Sequence, residues 1–428
     1  MDPSVEDVRL DSARRFSVLD RVRSLWSVET LGRDFWLFFT AAFFFDLGFG
    51  LYFFLFNLFL LSQHFDERAI GIITSALTLG NVIGTLPVSI LARRFGLQKL
   101  LLFCFIVVPL ISICRTFALW MPAQIGLAFL TGVALSSWPV CFAPSIAKVT
   151  TEKNRVFAFS ISFATGIGTG TIAGLVGGSL PGLLKSNRHA LTNADGMRFV
   201  LIGASVVAML GIWPILRLTL GVPDHPERRR MLTFHPYLFR FLPGFALWSI
   251  VSGSFIPFAP IFFQKNLGMS LQKVGMIFSA SQLAQFCAVL IAPLLYRRVG
   301  SVSGIVSVQV AAAASIFALG FCHNTSLAIA CYLVFTALQF STGPGFYGLL
   351  MSRVPEADRS SASGAQNVTG ALSQTASAAL TGTLILHDGY GLIFKSSAVL
   401  SLFAAVVVFS CLASDQLVTY PRSVQSRG

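Results

Sequence analysis

The chain has 428 residues with 31 Lys and Arg against 18 Asp and Glu, and it is 54% hydrophobic with a mean hydropathy of +0.74. Only 11% of its residues are charged, against about 25% in soluble domains, and Phe alone occurs 41 times; no water-covered globule hides that much apolar surface. The net charge of +13 does not mark a nucleic-acid binder, because the cations lie between apolar runs and not in a patch, which leaves a polytopic helical membrane protein.

Residues 1–34 are too charged for the apolar core of a cleavable signal peptide. Leu10, Phe16, Leu19, Val22 and Trp26 fit one side of a basic amphipathic helix on the membrane surface, although a disordered tail is the simpler and preferred reading. Twelve apolar runs follow, at 36–61, 69–91, 99–117, 122–147, 156–181, 198–219, 239–264, 272–295, 302–321, 326–350, 360–386 and 391–413. Each is long enough to cross a hydrocarbon core of ~30 Å at ~1.5 Å per residue. The segment 221–238 carries Pro223, Pro226, Arg228–Arg230 and Pro236 and reads as a cytoplasmic linker. The expected organisation is therefore a tail (1–34), a six-helix bundle (35–220), the linker, a second six-helix bundle (239–414) and a tail (415–428).

The cations alternate between two sets of connections. One set holds 23 of the 31, including Arg93, Arg94, Lys153, Arg155, Arg297, Arg298 and Arg359; the other holds eight, among them Arg68, Arg115, Arg198 and Lys265. Lys and Arg are retained on the cytoplasmic side, so a multi-pass protein of the cell membrane with both termini cytoplasmic is expected. The seven cysteines form no CxxC pair and no Cys/His cluster, so neither disulfide nor metal is indicated.

The second half repeats the first at a constant offset of 204 residues. Gly71, Ser75, Ala76, Leu79 and Gly96 fall on Gly275, Ser279, Ala280, Leu283 and Gly300. Glu152, Arg155, Gly166 and Gly178 fall on Glu356, Arg359, Gly370 and Gly382. Such a series at one shift is the mark of a parallel duplication of a six-span unit.

With that repeat in view, the chain resembles the major facilitator superfamily of secondary transporters over essentially everything after residue 34. The family's loop signature between spans two and three, G-x-x-x-D-R-x-G-R-R, is met by Arg94 and Gly96, with Ser89 at the first glycine and Arg93 at the aspartate. The elements from Glu152 to Arg155 and from Glu356 to Arg359 are similar to the family's cytoplasmic charge clusters. The resemblance implies an all-α integral membrane fold, twelve helices in two parallel-repeat six-helix bundles, with spans one, four, seven and ten around a central cavity. It also implies a cytoplasmic gate in which Arg93 and Arg94 face Glu356, while Arg297 and Arg298 face Glu152; simple anchoring of these arginines to anionic lipid is the competing account.

Of the 18 acidic residues only Asp46 sits deep inside a span. A carboxylate at the bilayer centre is costly, so it is expected to face a cavity and either carry a proton or pair with a cationic solute. The competing account is a protonated Asp bonded to a neighbouring helix. Its repeat position is Ile250, and the remaining mid-depth polar groups are neutral: Asn81, Ser252, Gln282, Gln285, Gln339 and Gln374, with Trp138 and Trp248 near span centres. Singly each amide or hydroxyl is more simply helix–helix glue worth about 0.6 kcal/mol, but as a set they are the cavity candidates. No basic residue is read at mid-depth, which disfavours an anionic solute.

The glycines of span five, Gly166 to Gly178, include a G-x-G-x-x-A spacing, but an apolar span without a βαβ unit is no dinucleotide site; close helix approach is the better account. No P-loop occurs, and the six histidines lie in loops, tails or span edges, so neither ATP hydrolysis nor catalysis is expected. The expectation is a non-enzymatic, proton-coupled carrier of a small neutral or cationic organic solute by alternating access, with export slightly favoured. A sugar uptake carrier or facilitator, and a receptor or lipid-handling protein on the same scaffold, are the alternatives. The expected partners are a small-molecule substrate, a proton and membrane lipids, with no cofactor, no nucleic acid and a monomeric chain.

Overall fold

The computed structural model describes residues 31–187, 192–220, 235–322, 324–355 and 358–413; within them a few side chains, those of Arg93, Glu152 and Lys153 included, are outside the description. The amphipathic helix considered for the first tail, most of the linker and the last tail lie outside the described residues.

Eleven helices among these residues are long and apolar enough to cross a membrane. The last, Arg359–Leu412, has 54 residues. At ~1.5 Å per residue it would measure ~80 Å, far more than a bilayer core of ~30 Å. Gly389 lies inside it with φ 76° and ψ 178°, a conformation open to glycine and closed to a continuing helix. It is therefore long enough for two spans, which makes twelve among the described residues.

The spans are α1 (Arg33–Ser62), α2 (Glu67–Phe95), α3 (Leu97–Phe117), α4 (Met121–Val149), α5 (Glu152–Asn187) and α6 (Asn193–Arg217) in the first half. In the second they are α7 (Tyr237–Lys265), α8 (Leu271–Val299), α9 (Ser301–Leu319), α10 (Thr325–Arg353), α11 (359–388) and α12 (390–412). Each lies within a few residues of the run read from hydropathy, extended mainly by the polar residues that cap it. Asp66 accepts from the Ala69 amide at 2.7 Å, and Thr192 with Asp195 forms a capping box at the start of α6. Three spans are interrupted, at Ser136 in α4, at Leu210–Gly211 in α6 and at Ile256–Phe258 in α7, the last around Pro257.

The repeat is visible in the backbone. Gly96 ends α2 and starts α3 with φ 88° and ψ 156°, and Gly300 does the same between α8 and α9 with φ 89° and ψ 157°. A positive φ with no helical turn is inexpensive only for glycine, so both copies keep it.

Apolar side chains also face outward, Leu86, Phe163, Leu290 and Val399 among them, each close to two-thirds exposed. Around a membrane span such faces meet lipid, and the helices satisfy their own backbone groups.

The core is divided unevenly between the two faces of the molecule, called here the Arg33 face and the Ser62 face after the ends of α1. Toward the Arg33 face Phe35, Phe38, Phe45, Leu101 and Phe105 form a core belonging to the first half alone. Toward the Ser62 face Leu55, Leu58 and Phe59 join Phe255, Phe258 and Ile261 of the second half in one continuous core. The halves are thus packed together at the Ser62 face.

Candidate functional site

Two seams hold the halves together, and they are copies of each other. In the α2–α11 seam Gly71 lies against the backbone of Ala378 and Gly382, and the Ser75 hydroxyl donates to the Thr375 carbonyl at 2.7 Å. In the α5–α8 seam Gly275 lies against Gly174 and Gly178, and the Ser279 hydroxyl donates to the Thr171 carbonyl, also at 2.7 Å. Every one of these pairs maps onto its counterpart at the 204-residue offset. Small residues are required because the backbones themselves touch: a Cβ on Gly71 would stand 2.5 Å from the Ala378 carbonyl oxygen.

Two further contacts across the halves have no counterpart in the repeat. Lys265 at the end of α7 pairs with Glu67 at the start of α2, with Nζ to Oε1 at 2.5 Å, and Asn57 of α1 donates through Nδ2 to the Pro257 carbonyl at 3.1 Å. Glu67 is 1% exposed and its Oε2 has no partner among the described residues. Toward the Arg33 face the same helices part. A Cβ on Gly166 would meet only Asp46, and one on Gly168 or Gly364 would meet nothing within 4 Å outside its own helix backbone.

Between the seams and this opening lies a cavity of about 360 Å3, walled by α1, α5, α7, α8 and α10. On α1, Asp46, Phe49, Phe53 and Asn57 form one stripe facing it, at the spacing of a helical face. Gln282 and Gln285 of α8 stand in its wall, and Phe278 and Phe340 add to its aromatic lining. Asp46 is the single charged residue in that wall, and no hydrogen bond or ion pair joins it to another described residue. Of the two accounts its position allowed, a group facing a cavity and a group bonded to a neighbouring helix, the geometry has the first.

A second chamber of about 200 Å3 adjoins the first and shares Phe49, Phe53, Asn57, Ile256 and Pro257 with it. Ser252 and Gln374 line this one. Two structural findings differ from what the residues alone suggested. Asn81, Trp138, Trp248 and Gln339 line neither cavity. Asn81 is on the face of α2 that packs against Gly132 of α4, and Trp138 lies within the first half's aromatic core, stacked on Phe38 and tilted against Phe45 with ring centroids 5.1 Å apart. Trp248 donates through its indole N–H to Thr342 Oγ1 at 2.9 Å, and Gln339 donates to the Ser252 hydroxyl. Their polar groups serve helix–helix bonds inside the second half. Span four accordingly gives the described cavities little, Thr131 alone.

The second difference concerns Arg115. Counted among connection residues, it lies instead inside the last turn of α3, is 2% exposed, and stands in the wall of the second chamber. The argument that no cation reaches the interior therefore fails. A signal was present: Arg115 falls within the run read as 99–117, so it had to be carried by a span and not by a loop.

The gate residues are only partly placed. Arg94, Arg297 and Arg298 are exposed at the Arg33-face ends of α2 and α8, while Arg155 and Arg359 donate to the backbone carbonyls of Ala147 and Val354, both at 3.4 Å. The side chains of Arg93, Glu152 and Glu356 lie outside the described residues. No grouping of His, Cys, Asp and Glu among the described residues fits a metal ion.

No curated protein matches the chain in sequence. Solved structures do match it in fold. The nucleoside transporter NupG superposes with a TM-score of 0.69 at 14% identity, covering 90% of this chain and 100% of its own. A bacterial homologue of the human lysosomal transporter Spinster, inward-facing and unoccupied, gives 0.73 at 12% identity, covering 92% and 100%. A D-xylose–proton symporter gives 0.69 at 16% identity, covering 87% and 95%. The sequence model of the Major Facilitator Superfamily matches residues 38–378, most of the chain and both halves of the repeat, and the protein belongs to that family of membrane transporters.

Proposed function

We propose that the protein is a secondary active transporter that moves a small organic solute by alternating access, with Asp46 carrying the coupling proton. The observation that carries this reading is the lone carboxylate: a single charge at mid-span, facing a cavity and bonded to no other described side chain. A carboxylate at mid-span is retained only against a substantial cost, and alternate protonation and release is the use that fits it. The part of the solute beside Asp46 is neutral or cationic, and the direction slightly favoured is export.

The 23-to-8 division of cations favours a cytoplasmic Arg33 face. The conformation described is then inward-open, with the two glycine–serine seams closing the outer side. The opposite state closes on the cytoplasmic side. There Arg93 and Arg94 belong to the end of α2 and Arg297 and Arg298 to the last turn of α8, while Glu152 begins α5 and Glu356 precedes α11 in the sequence, so that complementary charges meet across the halves.

Purified protein in proteoliposomes, loaded with a panel of organic cations, neutral amphipaths, organic acids and sugars, tests the reading. Movement of at least one solute against its gradient, dependent on an imposed pH difference and lost when that difference is collapsed, is the expected result. Solute movement that only ever runs to equilibrium, with or without a pH difference, would refute the coupling.

A further inference from the structure

Proton coupling through Asp46 leaves a second interior charge without a task. Arg115 is held as though its position matters. Gln124, wholly buried at the start of α4, donates from Nε2 to the carbonyls of Arg115 and Ala118, each at 2.6 Å. With both amide protons engaged, its Oε1 can only accept, and Arg115 Nε donates to it at 3.3 Å. The guanidinium lies over the Phe56 ring, with Cζ 4.2 Å from the centroid. Tyr52, whose hydroxyl donates to the Ser112 carbonyl at 3.0 Å, stands in the same chamber wall.

These contacts occupy Nε and one face of the guanidinium. They leave the two terminal nitrogens, and no described residue accepts a hydrogen bond from either. No carboxylate pairs with Arg115 among the described residues. A guanidinium cannot discharge itself by losing a proton, so the interior holds a permanent, orientated and uncompensated cation. Arg115 is the single charged residue in the wall of the second chamber, as Asp46 is in the first; the remaining polar lining consists of hydroxyls and amides such as Thr74, Ser112, Thr131 and Gln374. The chambers adjoin, with Phe49 and Phe53 in the wall of both. Along α1 the level of Asp46 and the level of Phe56, beneath the guanidinium, are ten residues apart, which is ~15 Å.

We propose that the second chamber is an anion subsite, in which the terminal nitrogens of Arg115 bind the carboxylate of the transported solute. The planar fork of the guanidinium matches a carboxylate bidentately, and one fixed positive charge balances a monoanion. The apolar body of the solute lies along Phe49 and Phe53, and its far end, neutral or cationic, lies beside Asp46. The substrate class is then an elongated amphipathic organic acid, larger than a free amino acid. This rests on the transporter reading above, but not on the proton. The competing role for Arg115 is structural, as a tie between α3 and α4 through Gln124.

Equilibrium binding, read without any gradient, separates the subsite from proton coupling. The full-length protein in lipid nanodiscs is unfolded thermally with 4-phenylbutyrate or with its uncharged amide, 4-phenylbutyramide, at equal ionic strength. The acid is expected to raise the melting temperature and the amide to leave it within error. Arg115→Gln is expected to weaken the acid at least tenfold, with Arg115→Lys recovering part of the loss. Without ligand, Arg115→Gln is expected to melt no lower than wild type, because it removes an uncompensated charge. The proposal is overturned if acid and amide act alike, if neither acts on the wild type, or if Arg115→Gln keeps the wild-type response. Should Arg115→Gln not fold, the structural tie is the answer unless Arg115→Lys folds and binds the acid more weakly than wild type.

Discussion

The two halves of this transporter share a scaffold and divide the chemistry. At the 204-residue offset the loop glycines Gly96 and Gly300 adopt the same backbone angles, and the seam hydrogen bonds of Ser75 and Ser279 have the same length. Yet Asp46 corresponds to Ile250, Arg115 to Leu319 and Gln124 to Ala328. The second half answers the first half's charges with neutral bonds, Trp248 to Thr342 and Gln339 to Ser252. Symmetry is kept in the scaffold, where both seams close the same face through the same duplicated glycine and serine positions. It is abandoned in the chamber walls, where the first half alone places a charged side chain, Asp46 in one and Arg115 in the other.

The largest effect is expected from moving charge across this divide. Asp46→Asn should abolish accumulation driven by a pH gradient, to the level of protein-free liposomes, while exchange of unlabelled for labelled solute persists. Ile250→Asn, at the equivalent place in the second half, should leave accumulation within about twofold of wild type, the size of effect expected of a polar group in a membrane helix that finds a partner. Accumulation retained by Asp46→Asn would remove the carboxylate from the mechanism.

Next in size are the seams themselves. Gly71→Leu and Gly275→Leu each set a side chain where a neighbouring helix backbone already lies, so neither seam can close. Both should cut transport more than tenfold and to a similar degree, since the two approaches are equivalent; a balanced two-state carrier loses turnover when one state is forbidden. Measuring initial rates for both variants tests the symmetry directly: one tolerated and one fatal would mean that the outer closure is carried by a single seam.

The scaffold was largely legible in the sequence because its cause is repetitive. Apolar runs of bilayer length, alternating cation density and glycines at a constant offset are summed over hundreds of residues, and a few exceptions do not change the sum. The site was legible only where one residue contradicts its surroundings. Asp46 is conspicuous amid phenylalanines, and lipid offers it no partner, so its place in a cavity follows. Trp138, Trp248 and Gln339 were not separable from true lining residues, since a neutral polar group at mid-depth serves a cavity and a helix contact equally well. Which one it does depends on rotation about the helix axis, set by packing such as the Trp138 stack on Phe38. Arg115 was misplaced because an arginine in a span's last turn normally reaches outward to water; here the Gln124 clamp and the Phe56 ring hold it inward.

A smaller effect is expected at the asymmetric ion pair, and its two members should not be equivalent. The Lys265 side chain is 52% exposed, whereas that of Glu67 is 2% exposed and its Oε2 is unpartnered among the described residues. Glu67→Gln removes a pair that an exposed partner limits to about 0.2–1 kcal/mol. Lys265→Met leaves a buried carboxylate with no counter-ion, which is the costlier change. Lys265→Met should therefore shift the protein toward the state open at the Ser62 face several-fold more than Glu67→Gln does. The shift is read as the rate at which an impermeant thiol reagent labels a cysteine at Asn57 in a cysteine-free background. Equal rates in the two variants would show that the pair acts as an ordinary surface contact.

The smallest predicted effect is the one that tests the duplication most closely. Ser75→Ala and Ser279→Ala each delete one hydroxyl donor to a backbone carbonyl, with the glycine approach beside it left intact. A hydrogen bond of this kind is worth about 0.5–1.5 kcal/mol net, so each variant should move the equilibrium between the two faces by roughly two- to tenfold. The bonds lie in different seams and share no residue, so the double variant should show the sum of the two free-energy changes to within about 0.5 kcal/mol. Spin labels at Gln63 and Leu267, one on each half at the Ser62 face, report the populations as short and long distances in double electron–electron resonance. Equal single shifts that add would establish the seams as independent, equivalent latches. A large shift for one serine and none for the other would show that the matching 2.7 Å bonds conceal unequal energies, with closure resting on the side that also holds Glu67 and Lys265. A double variant no different from either single would mean that opening one seam already releases the other, and the two would then be one latch with two contact points.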